Sequence, residues 1–370
     1  MGARVTHLTT AHARGEVRIF LKQCMSLRRA GYEVHLMVAD GLGNDTVDGV
    51  DIHDVGKVQG RFQRMFVLPW RMYLVARRLD AMIYHYHEPE LHFIALPLTL
   101  NGAKVIYDSH EDVPRAILSR DWIRPKLRKI ISFAFEKFEN FIAKRIASVV
   151  GATDHIAFRF SKLNNNAIAI NNYPLEDEID CMRFTEYSKS RVCYIGDISR
   201  VRGIIEIVNA INLIDTQLVL AGSFESPKLE SEVRSMKGWS KVDYRGFVTR
   251  EQVHNIMASS NAGLLFFQPE PNHIASQPNK MFEYMSAGIP VIASNFPLWR
   301  KIIEGKECGL CVDPIDPQAI ANAIDTLAQN SDRARNLGQN GRRAVEECYN
   351  WGVEGKKLLQ FYEELLRNHA

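Results

Sequence analysis

The chain has 370 residues, 46% of them hydrophobic, and a formal net charge of +3 at pH 7. A chain of this length is expected to form two domains, each able to bury its own core. The net charge is too small to favour nucleic-acid binding, and the sequence has no RNA-binding, zinc-finger or basic-zipper motif. No apolar run is long enough to span a bilayer, and the sequence starts without the pattern of a secretory signal. We therefore expect a cytoplasmic protein with reduced thiols.

Strand-like and helix-like segments alternate through the first half of the chain. A helical spacing of Val17, Phe20, Leu21, Cys24 and Leu27 predicts a helix over residues 16–30. The alternation predicts an α/β domain with a doubly wound parallel sheet over residues 1–172. No G-x-G-x-x-G follows a strand, which argues against a nicotinamide-binding domain. The predicted strands are Val5–Thr10, Val34–Ala39, Val50–Val55, Ala81–Tyr84, Lys104–Tyr107 and Ser148–Val150.

The second half repeats this rhythm after a predicted linker at 173–190, so that a second α/β domain is expected over residues 191–350. Asp316 followed by Pro317 predicts an N-capped helix that ends near Ala328. A last helix falls in 351–370. The predicted strands are Arg191–Ile195, Gln217–Ala221, Lys241–Tyr244, Ala262–Phe266, Val291–Ala293 and Leu310–Val312.

The segment 276–294, SQPNKMFEYMSAGIPVIAS, predicts a loop, a short helix, a turn and a buried strand. Pro278 suits the first helical position, and Gly288 with Pro290 ends the helix. A helix N-terminus that opens from a loop presents backbone N–H groups to an anion.

The side chains of this segment match the two parts of a nucleotide sugar. Ser276, Asn279 and Lys280 lie beside the helix N-terminus and suit a diphosphate, whereas Glu283 lies one turn further and can accept two hydrogen bonds from a sugar diol. We therefore expect this segment to bind the donor of a sugar transfer.

These residues, with the following FPLWRKIIE, GLCVDP and YNW segments, resemble the donor-site signature of the retaining GT-B glycosyltransferases of family 4. The resemblance implies two facing Rossmann-like domains, a cleft between them, and a C-terminal helix at 351–370 that crosses back to the first domain. It also implies transfer of a hexosyl or N-acetylhexosaminyl group, with retention, from a nucleotide-diphosphate sugar to a hydroxyl of a surface polysaccharide, such as lipopolysaccharide, or of a lipid-linked saccharide. Neither a cofactor nor a metal is expected.

Further donor-binding residues follow from the same resemblance. Arg202 occupies a position where the family has a diphosphate-binding lysine, Asp197 stands where an arginine is usual, and Arg200 lies near enough to replace it. Cations there stabilise the departing diphosphate in the transition state. Gly246 and Phe247 are expected to contact the base, with uracil favoured and guanine as the alternative.

The family's paired glutamates are incomplete in this sequence. Glu283 matches the second glutamate, but Ala275 occupies the position of the first. The residues expected to orient the transferred sugar instead are Glu270, Asn272, His273 or backbone N–H groups of 274–277.

On the acceptor side, the resemblance assigns a cleft-facing histidine to His87, just after a strand end. His110 follows the next strand within DSHED, and Arg14 and Gly15 lie in the first loop. The carboxylates around His110 suggest a metal site, but the family generally needs none, so an acceptor-side or structural role is expected. We count His87, Arg202 and Glu283 as the catalytic candidates.

Two stretches of the first domain, 57–78 and 120–145, mix basic and aromatic residues. Such segments suit peripheral docking onto an anionic membrane, although an ordinary amphipathic helix gives the same pattern.

Two other functions remain open at this stage. A sugar-nucleotide 2-epimerase shares the architecture, and an inactive glycosyltransferase-like scaffold would explain Asp197 and Ala275.

Overall fold

This computed structural model describes residues 2–100, 102–120, 123–180 and 191–367. Residue Trp122 and residues 181–190, parts of the predicted membrane-facing stretch and linker, lie outside the described residues. Contacts divide the chain into two units, Met1–Asn172 with Trp351–Ala370, and Tyr173–Asn350. Each unit has one sheet with helices packed on it, so the prediction of two α/β domains is confirmed.

The sheet of the first unit has eight strands in the order β3-β4-β2-β1-β5-β6-β7-β8, and only the β3–β4 pair is antiparallel. The sequence missed β3, which is short and polar, and β8, which has two residues. The strand bounds are β1 Arg4–Leu8, β2 Glu33–Val38, β3 Asp45–Val47, β4 Val50–Asp54, β5 Ile83–Tyr86, β6 Lys104–Ser109, β7 Ser148–Gly151 and β8 Ile168–Ala169.

The first helical segment differs from the expected single α-helix. Residues Val17–Cys24 are π-helical, and a short α-helix follows at Met25–Arg29. Of the five apolar residues in the helical spacing, Phe20, Cys24 and Leu27 are buried but Val17 and Leu21 are exposed. Arg18 and Gln23 are buried instead. The wider turn thus directs polar side chains toward the sheet, as π-helical turns at functional sites often do.

The other helices of the first unit cover its sheet on both faces. They are Gly60–Phe66, Leu68–Leu79, His92–Thr99, Val113–Leu118, Pro125–Ala143, Asp154–Ser161 and Trp351–Arg367, with a 3₁₀ turn at Pro89–Leu91.

The second unit has a six-stranded parallel sheet in the order β11-β10-β9-β12-β13-β14. All six strands match predicted ones. Their bounds are β9 Arg191–Ile195, β10 Gln217–Ala221, β11 Val242–Gly246, β12 Gly263–Leu265, β13 Val291–Ser294 and β14 Gly309–Val312. The helices are Glu176–Asp180, Ile204–Asn212, Pro227–Arg234, Arg250–Ala258, Pro271–Ile274, Asn279–Ser286, Pro297–Ile303, Pro317–Gln329 and Ser331–Glu347, with a 3₁₀ turn at Lys237–Lys241.

The described part of the expected linker belongs to the second unit. Tyr173 and Ile179 are buried in its core, and Glu176–Asp180 forms a short helix. These residues therefore differ from the linker expected at 173–190, because two apolar side chains among the acidic ones anchor the segment.

Glycines allow the carboxyl ends of β9 and β10 to lie in contact. Gly222 has φ +141°, and a Cβ built there would lie 1.8 Å from the carbonyl oxygen of Gly196. Gly246, at the end of β11, has φ +62° but no heavy atom within 4 Å of an added Cβ. Both positions thus have a positive φ, which favours glycine, but they differ in the space available to a side chain.

Replacement of these glycines separates the two effects. Gly246→Ala is expected to lose about 1 kcal/mol of unfolding free energy from backbone strain alone. Gly222→Ala should lose at least about 2 kcal/mol more, because the methyl group overlaps a backbone carbonyl. Urea unfolding followed by circular dichroism measures both variants, and equal losses would contradict the close approach.

Candidate functional site

The predicted donor loop precedes the helix Asn279–Ser286. Pro278 is the N-cap residue rather than the first helical residue, with ψ 135°. The loop is fixed from two sides: the indole nitrogen of Trp299 donates to the carbonyl oxygen of Ser276 at 2.7 Å, and the amide of Gln277 donates to the hydroxyl of Tyr173 at 3.1 Å. The helix N-terminus is therefore held in place by the core of the second unit.

Glu283 is mostly buried and lies between two cations. Lys280 Nζ donates to its Oε2 at 2.7 Å, and Arg250 Nη1 lies 3.8 Å from its Oε1. Arg250 also pairs with Glu178 at 2.9 Å. The carboxylate is thus held in position by its two cationic neighbours.

Arg202 and Lys280 converge on the end of β9. From the position where Gly196 would carry a Cβ, Arg202 Nη1 lies at 3.4 Å and Lys280 Cε at 3.7 Å. Arg202 pairs with Asp197 at 3.3 Å and lies over the ring of Phe267. Two cations beside an unobstructed glycine backbone make a site that suits a phosphate anion.

Other donor candidates lie further from this pair of cations. Arg200 is exposed and forms an ion pair with Glu232 on the next helix. Asn279 is exposed at the first helical position. Gly246 accepts a hydrogen bond from the Gly222 N–H at 2.8 Å, and Phe247 is fully accessible.

Ala275 ends the short helix Pro271–Ile274, so no carboxylate stands there. The nearest titratable residue is His273, which stacks on Phe267 at 4.8 Å. Burial lowers the pKa of His273. Its Nδ1 is buried and, within the described chain, has no hydrogen-bond partner.

In the first unit, four polar side chains meet at the ends of β5 and β6. The carboxylate Oδ2 of Asp108 lies 3.3 Å from His87 Nδ1, 3.5 Å from His110 Nε2 and 3.8 Å from His85 Nε2. His87 Nδ1 and His110 Nε2 are 3.2 Å apart. The four residues form a compact group, which we call the histidine cluster.

Asp108 is the buried charge of the histidine cluster. Arg18 contacts its two oxygens at 3.1 and 2.7 Å, and Gln23 donates to Oδ2 at 2.7 Å. Burial by itself would raise the pKa of Asp108, but the charge of Arg18 and contacts with His110 and His87 hold this pKa well below its usual value. Asp108 is therefore ionised.

Sequence reasoning missed three partners of the histidine cluster. His7 Nδ1 lies 3.0 Å from His87 Nε2, and the hydroxyl of Tyr362, on the last helix, lies 2.6 Å from His85 Nδ1. Arg18 is the third. A histidine within the short strand β1 was the available signal for His7, whereas no local signal links Tyr362 or Arg18 to the site.

The acceptor-side candidates differ in access. His87 is buried with partners on both ring nitrogens, and burial holds its pKa well below the usual value. This burial differs from the expectation that His87 itself reaches the acceptor. The ring of His110, in contrast, is 24% exposed. Arg14 pairs with Asp40 through two 2.8 Å hydrogen bonds, and Gly15 is exposed.

Ring contacts through Phe93 connect the two basic and aromatic stretches. Ring contacts connect Phe62, Phe66, Phe93 and Phe138 in series, with centroid separations of 5.1, 5.8 and 5.5 Å. Further exposed apolar residues of the same helices are Met65, Trp70, Leu74, Leu127, Ile130, Ile131, Phe133 and Phe141. Among the described helices, none has the length and apolar character needed to cross a membrane.

Residues 183–344 match the family model described as Glycosyl transferases group 1. Over 189 residues the chain is 29% identical to the alpha-maltose-1-phosphate synthase of Mycolicibacterium smegmatis, an alignment that covers 47% of this chain and 48% of that protein. The chain spans about half the length of this relative and of two further curated relatives.

Solved structures share the architecture of both units. Sucrose-phosphate synthase of Thermosynechococcus elongatus aligns with a TM-score of 0.77 and 18% identity over 99% of this chain and 100% of that one. HepE of Anabaena in complex with UDP aligns with a TM-score of 0.73 and 14% identity over 98% and 100%. The two parallel-sheet units are those of GT-B glycosyltransferases, as the sequence predicted.

Proposed function

We propose that this protein is a retaining glycosyltransferase that moves a hexosyl or N-acetylhexosaminyl group from a UDP-sugar to a hydroxyl of a surface polysaccharide or a lipid-linked saccharide. The observation that carries this proposal is the convergence of Arg202 and Lys280 at Gly196, with Glu283 on the same helix as Lys280. The arrangement suits a nucleoside diphosphate, whose two recognition features are anionic phosphate and a ribose diol.

The cations act on the leaving group. When the bond between the sugar C1 and the diphosphate oxygen breaks, negative charge collects on that oxygen, and a new bond forms from C1 to the acceptor oxygen, whose proton is released. Arg202 and Lys280 stabilise this charge more in the transition state than in the ground state. Retention rests on the family resemblance.

Glu283 is proposed to hold the ribose. A bound diphosphate competes with Glu283 for Lys280, and Arg250 remains near the carboxylate. The Glu283 oxygen that is released from Lys280 can then accept a hydrogen bond from a ribose hydroxyl. Ser276, Asn279 and Arg200 add to diphosphate binding from the margin of the site, and Gly246 and Phe247 contact the base, for which UDP bound to HepE supports uracil.

On the acceptor side we propose that His110 contacts the reacting hydroxyl and that His87 orients it from behind. His110 is the more exposed ring of the pair, and His87 lies 3.2 Å from its Nε2. Arg14 and Gly15 line the same loop region of the first unit as expected acceptor contacts.

Donor binding is tested by thermal shift with UDP. The wild-type protein is expected to gain about 2.7 kcal/mol at a hundredfold excess over Kd. Arg202→Met and Glu283→Gln should abolish most of this gain and leave the unliganded melting temperature nearly unchanged, because neither side chain belongs to the core. Arg200→Ala should lose less, because Arg200 is paired with Glu232.

Arg300→Ala is the matched control, since Arg300 is an exposed arginine of the same unit paired with Glu304 at i+4. Its response to UDP should equal that of the wild type. An equal response in Arg202→Met or Glu283→Gln would refute the assignment of that residue.

Turnover separates this proposal from its alternatives. With UDP-glucose and UDP-N-acetylglucosamine, slow donor hydrolysis by water is expected to yield the retained anomer in NMR spectra, and Arg202→Met should lower the rate about a hundredfold. Isomerisation of the donor without any transfer would identify an epimerase. Nucleotide binding with neither hydrolysis nor transfer would identify a scaffold.

We also propose that residues 57–78 and 120–145 dock onto the anionic cytoplasmic leaflet, where a lipid-linked acceptor resides. The connected phenylalanine rings supply one apolar surface from both stretches, and the flanking arginines and lysines suit anionic headgroups.

Vesicle flotation tests this docking. Wild-type protein should bind vesicles containing phosphatidylserine and not pure phosphatidylcholine vesicles. Phe62→Ser with Phe133→Ser, which removes rings 71% and 62% exposed, should reduce binding at least about tenfold. Leu42→Ser, at a 73% exposed loop position of the same unit, is the control, and equal loss in this control would exclude the proposed surface.

A further inference from the structure

We propose that the histidine cluster binds a divalent transition-metal ion, preferentially zinc, through His85 Nε2, His87 Nδ1, His110 Nε2 and Asp108 Oδ2. This site departs from the expectation of a metal-free protein. An ion bound there takes the place of the direct contact between His87 Nδ1 and His110 Nε2 and leaves only Nδ1 of His110 for the acceptor side proposed above.

The spacing of three of the four atoms is close to that of tetrahedral ligands. Zinc bonds nitrogen and oxygen at about 2.0–2.1 Å, which places tetrahedral ligands about 3.3 Å apart. Asp108 Oδ2 lies 3.3 Å from His87 Nδ1 and 3.5 Å from His110 Nε2, and these two nitrogens are 3.2 Å apart. His85 Nε2 lies 3.8 Å from Asp108 Oδ2, and His85, His87 and Asp108 offer ligand atoms within 4.8 Å of one another. His110 is outside that group of three, so His85 and His110 have to approach each other for all four residues to bind one ion.

His85 Nε2 gives the independent observation. It is completely buried, points toward Asp108, and has no hydrogen-bond partner among the residues that the structure describes. A buried nitrogen without a partner destabilises the folded state. A bound metal cation accepts the lone pair of this nitrogen and so gives it a partner.

The surrounding contacts leave the required lone pairs free. If His85 Nδ1–H donates to the Tyr362 hydroxyl and His87 Nε2–H donates to His7 Nδ1, then His85 Nε2 and His87 Nδ1 both carry lone pairs. His7 Nε2–H can donate to the same hydroxyl at 3.4 Å. Metal-bound histidines commonly donate their second N–H in this way, which fixes ring orientation.

The geometry of two neighbouring strands brings the four proposed ligands together. His85 and His87 are two residues apart at the end of β5, and Asp108 and His110 are two residues apart at the end of the neighbouring strand β6. Side chains at i and i+2 project from the same face, so two adjacent strands deliver four ligands to one point. An ion there ties the two strand ends together and is reached from the exposed side of His110.

The charges around the histidine cluster determine which metal ions we expect it to prefer. Arg18 compensates Asp108 and opposes a further cation, so binding relies mainly on neutral imidazoles, which alone hold catalytic zinc in some enzymes. Imidazole ligands favour zinc, copper, nickel or cobalt over magnesium or calcium. We therefore expect selectivity for the first group.

The experiment uses the full-length chain with its purification tag removed. After treatment with EDTA and equilibration with ZnCl₂ or CoCl₂, followed by gel filtration, elemental analysis should find one equivalent of metal. The cobalt form should show the visible absorption of a tetrahedral ion, and zinc should raise the melting temperature where magnesium does not. His85→Gln is expected to lose all three effects.

His53→Gln is the matched control, because His53 and His35 form another half-buried histidine pair in the same unit, 3.0 Å apart. It should retain one equivalent and the cobalt spectrum. If His85→Gln does not fold by circular dichroism, His110→Ala, at the exposed end, replaces it and should lose the cobalt spectrum. Absence of metal from wild type, including protein refolded with zinc, or loss of metal in His53→Gln alone, would overturn the proposal.

Discussion

The candidate sites of this protein depend on one constraint, which is that all strands of a parallel sheet end at the same edge. Side chains that follow different strands are distant in sequence but neighbours at that edge. In the second unit, Gly196 follows β9 and Gly222 follows β10, and their contact leaves room beside the backbone for Arg202 and Lys280. In the first unit the same rule joins the ends of β5 and β6 in the histidine cluster.

Burial of the charged and polar groups of the histidine cluster destabilises the folded state, and neighbouring residues offset this effect. An isolated carboxylate at the position of Asp108 would cost several kcal/mol of unfolding free energy. Arg18 supplies the compensating charge and also donates to the carbonyl oxygen of Ile170 at 2.9 Å. The π-helical turn brings Arg18 and Gln23 to the same carboxylate, so the irregular backbone and the buried charge depend on each other.

Sequence patterns predicted helices and strands well where the structure depends on neighbouring residues in the chain. The helix Pro317–Gln329 begins where Asp316 caps it, and each strand of the second sheet was found because it is a short apolar run between turns. The first segment was predicted as helical, but its π-helical turns were missed, because its spacing suits an α-helix and nothing in the local sequence indicates π-helical turns. Tyr362 and Arg18 were missed for a different reason, since both reach the histidine cluster from sequence positions that only tertiary packing brings there.

The pairing of Lys280 with Glu283 has a consequence for how a ligand is received. Without a ligand the two charges satisfy each other at i and i+3 on one helix, with both side chains partly accessible to water. An anion that draws Lys280 toward Gly196 therefore replaces this ion pair with a charge-assisted hydrogen bond and exposes a carboxylate that Arg250 still holds in position. Recognition of the phosphate and recognition of the diol are in this way coupled through a single lysine.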